Sequence, residues 1–209
     1  MRPFFFDVDG TLINSEDGII NSLIYAQERL GRPIPPIDTL KLFIGPPLAD
    51  SYRDILHYSP AEVQQGIKFY REKYKAGAMF EGEVYPGIPE VLQKLKENGQ
   101  KLFIATSKPH NFALQVLDHF QLSGYFDAVY GATPENKTKT QVIHAALAHA
   151  KQEQTGVMVG DRKFDMIGAT YNGLIGVGVS YGFGSRAELA DAGADFIIDA
   201  PEELLALFD

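Results

Sequence analysis

The sequence predicts an α/β protein, a Rossmann-like parallel sheet with helices on both faces, interrupted near its start by an inserted all-helical segment. Three observations carry this. From Tyr85 onward, short apolar runs alternate with amphipathic stretches, a pattern that implies parallel strands joined by right-handed helical crossovers. Between Ile13 and Glu83 no convincing strand pattern occurs. A single aromatic run, "PFFFDV", precedes that stretch, so the first strand is separated from the rest of its sheet. The expected division is 1–13 with 85–209 as the α/β core and 14–84 as the helical insertion.

Pro3 to Val8 is stopped by Asp9-Gly10 and reads as a buried strand entering a tight turn. Glu16 to Leu30 reads as a helix closed by Gly31, and two short helical pieces follow on either side of Gly45-Pro46-Pro47. Ser59 opens a helix to about Gly77, with Pro60 at the first helical position and Glu62 three residues after the cap. Beyond Tyr85 come a helix near Ile88 to Asn98, a strand Lys101 to Thr106, and a helix Asn111 to Phe120 whose first turn includes Pro109. A short strand Ala128 to Tyr130 precedes a helix Lys139 to Ala150, opened by Thr138 with Gln141 three residues on. Strand Val157 to Val159, helix Phe164 to Asn172, strand Ile175 to Val179, a helix capped by Ser185 with Glu188, and a last strand Phe196 to Ile198 complete the chain. There is no internal repeat or low-complexity tract.

The bulk composition narrows function. A chain of 209 residues can bury a sizeable core, and 27 acidic against 19 basic residues give a net charge of −8. That balance argues against nonspecific binding to nucleic acid or anionic membranes and favours a small-molecule partner. With no cysteine there are no thiolate nucleophiles or disulfides, which fits a cytoplasmic address. No apolar run reaches membrane-spanning length, and the N-terminal stretch does not read as an export signal. The five histidines lack metal-ligand spacing.

Ligands on open parallel sheets bind beyond the carboxyl ends of the strands, and polar residues follow three apolar runs there. Asp7 and Asp9 lie two apart and project to one side; ionised carboxylates so close repel, so a fold that keeps them needs a shared proton or, as expected here, a dication. Thr106 and Ser107 lie between a strand and a helix, where hydroxyls and amides either bind phosphate or simply cap the helix. Gly160-Asp161 ends a strand, with Asp165 one helical turn later, a spacing suited to Mg²⁺ and oxygen ligands. Between Lys137 and Lys139, the cap at Thr138 puts Lys139 in the first helical turn, an unfavourable place for a cation unless an anion binds there.

Taken together, Asp7-Val8-Asp9-Gly10-Thr11, Thr106, a lysine before a helix, and Gly160-Asp161 with Asp165 resemble the four motifs of the haloacid-dehalogenase-like phosphatase superfamily. The whole chain is similar to its phosphoglycolate-phosphatase-like branch, whose members carry a helical cap where the helical insertion falls. The resemblance implies Asp7 as nucleophile and Asp9 as general acid/base. It also implies Gly10, Thr106, Ser107 and Lys139 around the phosphate, and Asp7, Asp9, Asp161 and Asp165 around Mg²⁺. Doubled lysines at 137 and 139 depart from the family pattern.

The implied reaction is Mg²⁺-dependent hydrolysis of a small phosphorylated metabolite, such as phosphoglycolate or a nucleoside monophosphate, through an aspartyl-phosphate. A pyrophosphatase or a sugar phosphomutase would share these motifs. A receiver-like signalling module would be shorter and would leave Asp161 and Asp165 without a role. The expected assembly is a monomer or homodimer. "FIGPPL" reads either as a cap loop over a pocket or as an interhelical turn, and Tyr181 and Phe183 either border an entrance or belong to an ordinary loop.

Overall fold

The computed structural model describes residues 2–150 and 155–208; the ends of the expected core and residues 151–154 lie outside that range. The chain divides into two compact units, Ser15–Glu83 and Met1–Asn14 with Val84–Asp209.

The first unit is helical. α1 (Glu16–Leu30) ends at Gly31 in the left-handed region (φ 64°), where the Gly31 amide closes onto the Gln27 and Glu28 carbonyls. α2 (Ile37–Lys41) and α3 (Leu48–Asp54) flank Gly45-Pro46-Pro47. α4 (Pro60–Lys75) opens with the full capping box: the Ser59 hydroxyl accepts from the Glu62 amide, and the Glu62 carboxylate accepts from the Ser59 amide. In "FIGPPL", Phe43 and Ile44 are buried and Phe43 packs edge-on against Tyr52.

The other unit carries six parallel strands in the order β5-β4-β1-β6-β7-β8. These are β1 (Pro3–Phe6), β4 (Lys101–Pro109), β5 (Ala128–Ala132), β6 (Val157–Gly160), β7 (Ile175–Val179) and β8 (Phe196–Ile198). Two short strands, β2 (Ile13–Asn14) and β3 (Glu83–Val84), form a separate two-stranded sheet; at two residues each they leave no sequence pattern. Helices α5 (Ile88–Glu97), α6 (His110–His119), α7 (Lys139–His149), α8 (Lys163–Tyr171) and α9 (Arg186–Asp191) connect the strands, and the single turn α10 (Glu203–Ala206) was not foreseen.

β1 is buried on both faces, as a central parallel strand must be. Phe4 and Phe6 stack on one face, while Phe5 stacks on Phe103 and joins Val142, Ile143, Ala146, Met158 and Ala169 on the other. β1 pairs with β4 on one side and β6 on the other. The winding therefore reverses at β1, and the carboxyl ends of β4, β1 and β6 meet at that reversal.

The structure corrects one element. β4 does not stop at Thr106 but continues through Pro109, which pairs with Ala132 of β5 after an irregularity beyond Ala105. Pro109 keeps an extended backbone (φ −51°, ψ 133°) and lies outside the helix, and α6 begins directly after it at His110, one residue before the expected Asn111. Thr106 and Ser107 thus belong to the strand rather than to a helix start.

Candidate active site

Three carboxylates converge beyond β1 and β6: Asp7, Asp161 and Asp165 each offer an oxygen within 4.8 Å of the others, and all three are buried. Asp7 follows the last residue of β1, with its amide donating to the Val159 carbonyl of β6 (3.0 Å). Asp161 follows β6, and Asp165 lies in the first turn of α8, where its Oδ2 accepts from the Arg162 amide (3.0 Å). The strand end and the helix start bring all three together.

Lys139 stands among them. Its Nζ is 2.8 Å from Asp7 Oδ1, 2.8 Å from Asp165 Oδ1 and 3.0 Å from the Ala105 carbonyl. The contact to Asp165 Oδ1 is an ion pair outside hydrogen-bond geometry, which leaves that buried oxygen without a hydrogen-bond donor. Asp7 Oδ1 accepts from the Val8 amide (2.8 Å) and is ion-paired with the Lys139 ammonium (2.8 Å), and these two contacts on one oxygen fix the direction of Oδ2. Thr138 and Gln141 form a complete capping box, so Lys139 is the first residue of α7, whereas Lys137 is exposed in the preceding loop.

Burial, with Asp165 and Asp7 nearby, pushes the Asp161 carboxyl well above the ordinary carboxylate range, against the pull of the Phe183 amide. Burial likewise pushes Asp165 up to about 6, with Lys139 opposing and Asp7 adding to the rise. For Lys139, burial opposes the charged form, but Asp165 and Asp7 outweigh it and raise the pKa. One ammonium cannot neutralise three carboxylates. The excess charge and the all-oxygen donor set fit a hard dication such as Mg²⁺.

Asp9 stands outside this trio. Its Oδ2 lies 2.9 Å from the Lys108 ammonium, and its buried Oδ1 has no hydrogen-bond partner among the described residues. Lys108 went unnoticed in the sequence because Pro109 suggested a helix start; two residues past Thr106 is the strand period, the signal that could have found it. The Lys108 amide donates to the Thr106 hydroxyl (3.1 Å), and Ser107 is half-buried between them. Gly10 adopts φ 78°, and its amide donates to the Ile13 carbonyl (2.8 Å), closing the turn. A Cβ there would come within 2.1 Å of Asp161 Oδ2, so Gly10 lets the two strand ends approach.

The Tyr181–Gly184 segment serves Asp161. The Phe183 amide donates to Asp161 Oδ2 (2.8 Å), and the Thr11 hydroxyl donates to Oδ1 (3.3 Å). The Tyr181 hydroxyl donates to the Thr11 carbonyl (3.1 Å), and its ring packs on Tyr85. A Cβ on Gly184 would meet the Asp161 carbonyl at 2.0 Å, which explains the glycine in a loop pressed this closely against the site. Glu188 Oε1 accepts from Arg162 Nε and the Lys163 amide, both at 2.9 Å, tying α9 to the start of α8.

A sequence profile described as haloacid dehalogenase-like hydrolase matches residues 4–179. The chain belongs to this family. It is 37% identical over 188 residues to a 5'-nucleotidase from Pseudomonas aeruginosa, covering 88% of this chain and 85% of the relative. A phosphoglycolate phosphatase from Caulobacter vibrioides is 32% identical, with 97% of this chain and 90% of the relative covered. Among solved structures, a haloacid dehalogenase-like hydrolase from Streptococcus pneumoniae superposes with a TM-score of 0.94 at 35% identity, covering 100% of this chain and 99% of that one. The parallel sheet and its reversal at β1 are thus those of a haloacid dehalogenase-like hydrolase, and no helix of the described residues is long and apolar enough to cross a membrane.

Proposed function

We propose that this hydrolase is a Mg²⁺-dependent phosphatase of small phosphomonoesters that works through a phosphorylated Asp7. The observation that carries the reading is the convergence of Asp7, Asp161, Asp165 and Lys139 at the reversal point of the sheet. Asp7 Oδ2 attacks phosphorus in line with the leaving oxygen, its direction held by the Val8 amide and the Lys139 ammonium on Oδ1. Asp9 delivers a proton to the departing alkoxide, then accepts one from the water that cleaves the acyl phosphate at phosphorus and regenerates Asp7. Lys139 offsets the negative charge of the carboxylates, and the end of β4 at Thr106 and Ser107 would supply hydrogen-bond donors to the phosphoryl oxygens. Asp7, Asp161 and Asp165 would hold Mg²⁺, which would supply the remaining charge neutralisation at the phosphoryl group.

The substrate class follows from the relatives named for nucleotide and phosphoglycolate hydrolysis. Nucleoside monophosphates and short phosphorylated acids are the first candidates, and their cytoplasmic origin is the reason to place the enzyme there. A monomer or homodimer suffices, because every residue invoked comes from one chain. Phosphate release across a panel of phosphorylated metabolites, with Mg²⁺ and with a chelator, tests the reading. Metal-dependent turnover of a nucleoside monophosphate or a phosphorylated acid supports it, and no release from any phosphomonoester removes it.

A further inference from the structure

The site contains a second buried ammonium, Lys108, that none of the steps above uses. Its side chain is 5% exposed and that of its partner Asp9 is 14% exposed. The pair occupies the end of β4 beside β1, in the same reversal that brings Asp7 and Asp161 together. A buried lysine loses both hydration and side-chain freedom, so its position in a strand that continues past Thr106 calls for a reason.

The backbone around Asp9 is already fixed. Gly10 and Ile13 close the turn, and the Leu12 and Ile13 amides donate to the Val8 carbonyl at 3.0 Å each. The carboxylate is held differently: Oδ2 faces Lys108 at 2.9 Å, while Oδ1 is buried with no hydrogen-bond partner among the described residues. An aspartate side chain left to itself turns about two bonds, and its two oxygens exchange places. The ion pair distinguishes them. Lys108 is fixed in turn at its backbone, where its amide donates to the Thr106 hydroxyl (3.1 Å).

We propose that Lys108 is a positioning residue that anchors Asp9 through Oδ2, so that Oδ1 is the oxygen that exchanges a proton with the leaving group. This rests on the phosphatase reading above. The inference assigns the two oxygens of Asp9 separate tasks, with orientation carried by one and proton transfer by the other. It also predicts that Lys108 matters in proportion to how much the leaving group needs a proton.

The test compares two substrates with Lys108→Met and Lys108→Arg. An aryl phosphate such as p-nitrophenyl phosphate expels a phenolate that departs without protonation, whereas an alkyl phosphate must be protonated as it leaves. Because kcat/KM covers steps only through departure of the alcohol, it isolates this event from hydrolysis of the acyl phosphate. Losing well-placed proton donation costs about 10²–10⁴-fold. Lys108→Met should therefore lower kcat/KM for the alkyl phosphate by about 10²-fold or more, and for the aryl phosphate by less than about 5-fold.

The ratio of the two values does not depend on the fraction of protein folded. Lys108→Arg should restore most of the alkyl activity, because a guanidinium can hold the same oxygen. In an Asp9→Asn background, adding Lys108→Met should change the ratio little, since the group it positions is already gone. Equal losses on both substrates, or a full additional loss in the Asp9→Asn background, would overturn the inference. Wild-type enzyme inactive on both substrates would instead overturn the phosphatase reading on which it rests.

Discussion

The two buried lysines of the site invite comparison. Lys139 enters from the first turn of α7 and has three oxygens within 3.0 Å, two of them on carboxylates that converge with Asp161. Lys108 enters from the end of β4 and pairs with Asp9, which stands outside that trio. The difference teaches what each can do. An ammonium shared among several oxygens balances the charge of a cluster and stabilises any negative phosphoryl group brought to it. One that holds a single oxygen of a carboxylate orients that carboxylate. Four carboxylates against these two ammoniums leave an excess of negative charge that a dication offsets, provided every group is ionised.

The largest expected effect removes the group on which the Lys139 side converges. Asp7→Asn should reduce turnover to below about 10⁻⁴ of wild type while circular dichroism shows the fold retained, because an amide cannot form the acyl phosphate. Lys139→Ala comes next, with kcat/KM falling about 10²–10³-fold. Its loss should be similar for aryl and alkyl phosphates, the opposite of what is expected at Lys108. A leaving-group-selective loss at Lys139 would erase the contrast between the lysines.

A pH series sharpens the charge balance. Asp161 and Asp165 have folded pKa values raised above the unfolded value of about 3.9, so metal-free protein is favoured while they stay protonated and loses stability as pH rises through the folded value, about 6 for Asp165. Bound Mg²⁺ requires the ionised forms and relieves their repulsion. The rise in Tm on adding Mg²⁺ should therefore be larger at pH 8 than at pH 5.5, as thermal melts with and without chelator would show. Equal rises would mean that the trio is not the metal site.

The smallest effect is expected at Lys137, whose side chain is exposed and whose amide donates to Gln141 Oε1 (2.9 Å). Lys137→Ala should leave kcat/KM within about 3-fold of wild type, because an exposed charge is screened by water.

Much of this arrangement was legible because local rules agreed with the fold. Thr138 with Gln141 announced the start of α7 and so distinguished Lys139 from Lys137 before any packing was known. Ser59, Pro60 and Glu62 did the same for α4. The Asp-x-Asp ending of the first apolar run and the Asp161/Asp165 spacing marked two strand ends, and parallel topology predicted that they would meet.

Lys108 was obscured by a conflict of rules. Pro109 is as acceptable at the first turn of a helix as at the end of a strand, and only pairing with Ala132, which lies in a distant part of the sequence, decides for the strand. The role of the Tyr181–Gly184 loop was invisible for a related reason. Its decisive contact is a backbone amide to Asp161, and an amide is present at every position except proline.

The central claim is that Asp7 carries the phosphoryl group, and a rapid quench tests it most directly. Enzyme mixed with excess alkyl phosphate and Mg²⁺, stopped in acid within a single turnover and digested, would be examined by mass spectrometry. The account predicts phosphate on the peptide containing Asp7, removed by hydroxylamine as an acyl phosphate must be and absent from Asp7→Asn. Alcohol released in the first turnover with no phosphate on Asp7, or with phosphate on a different residue, would contradict it.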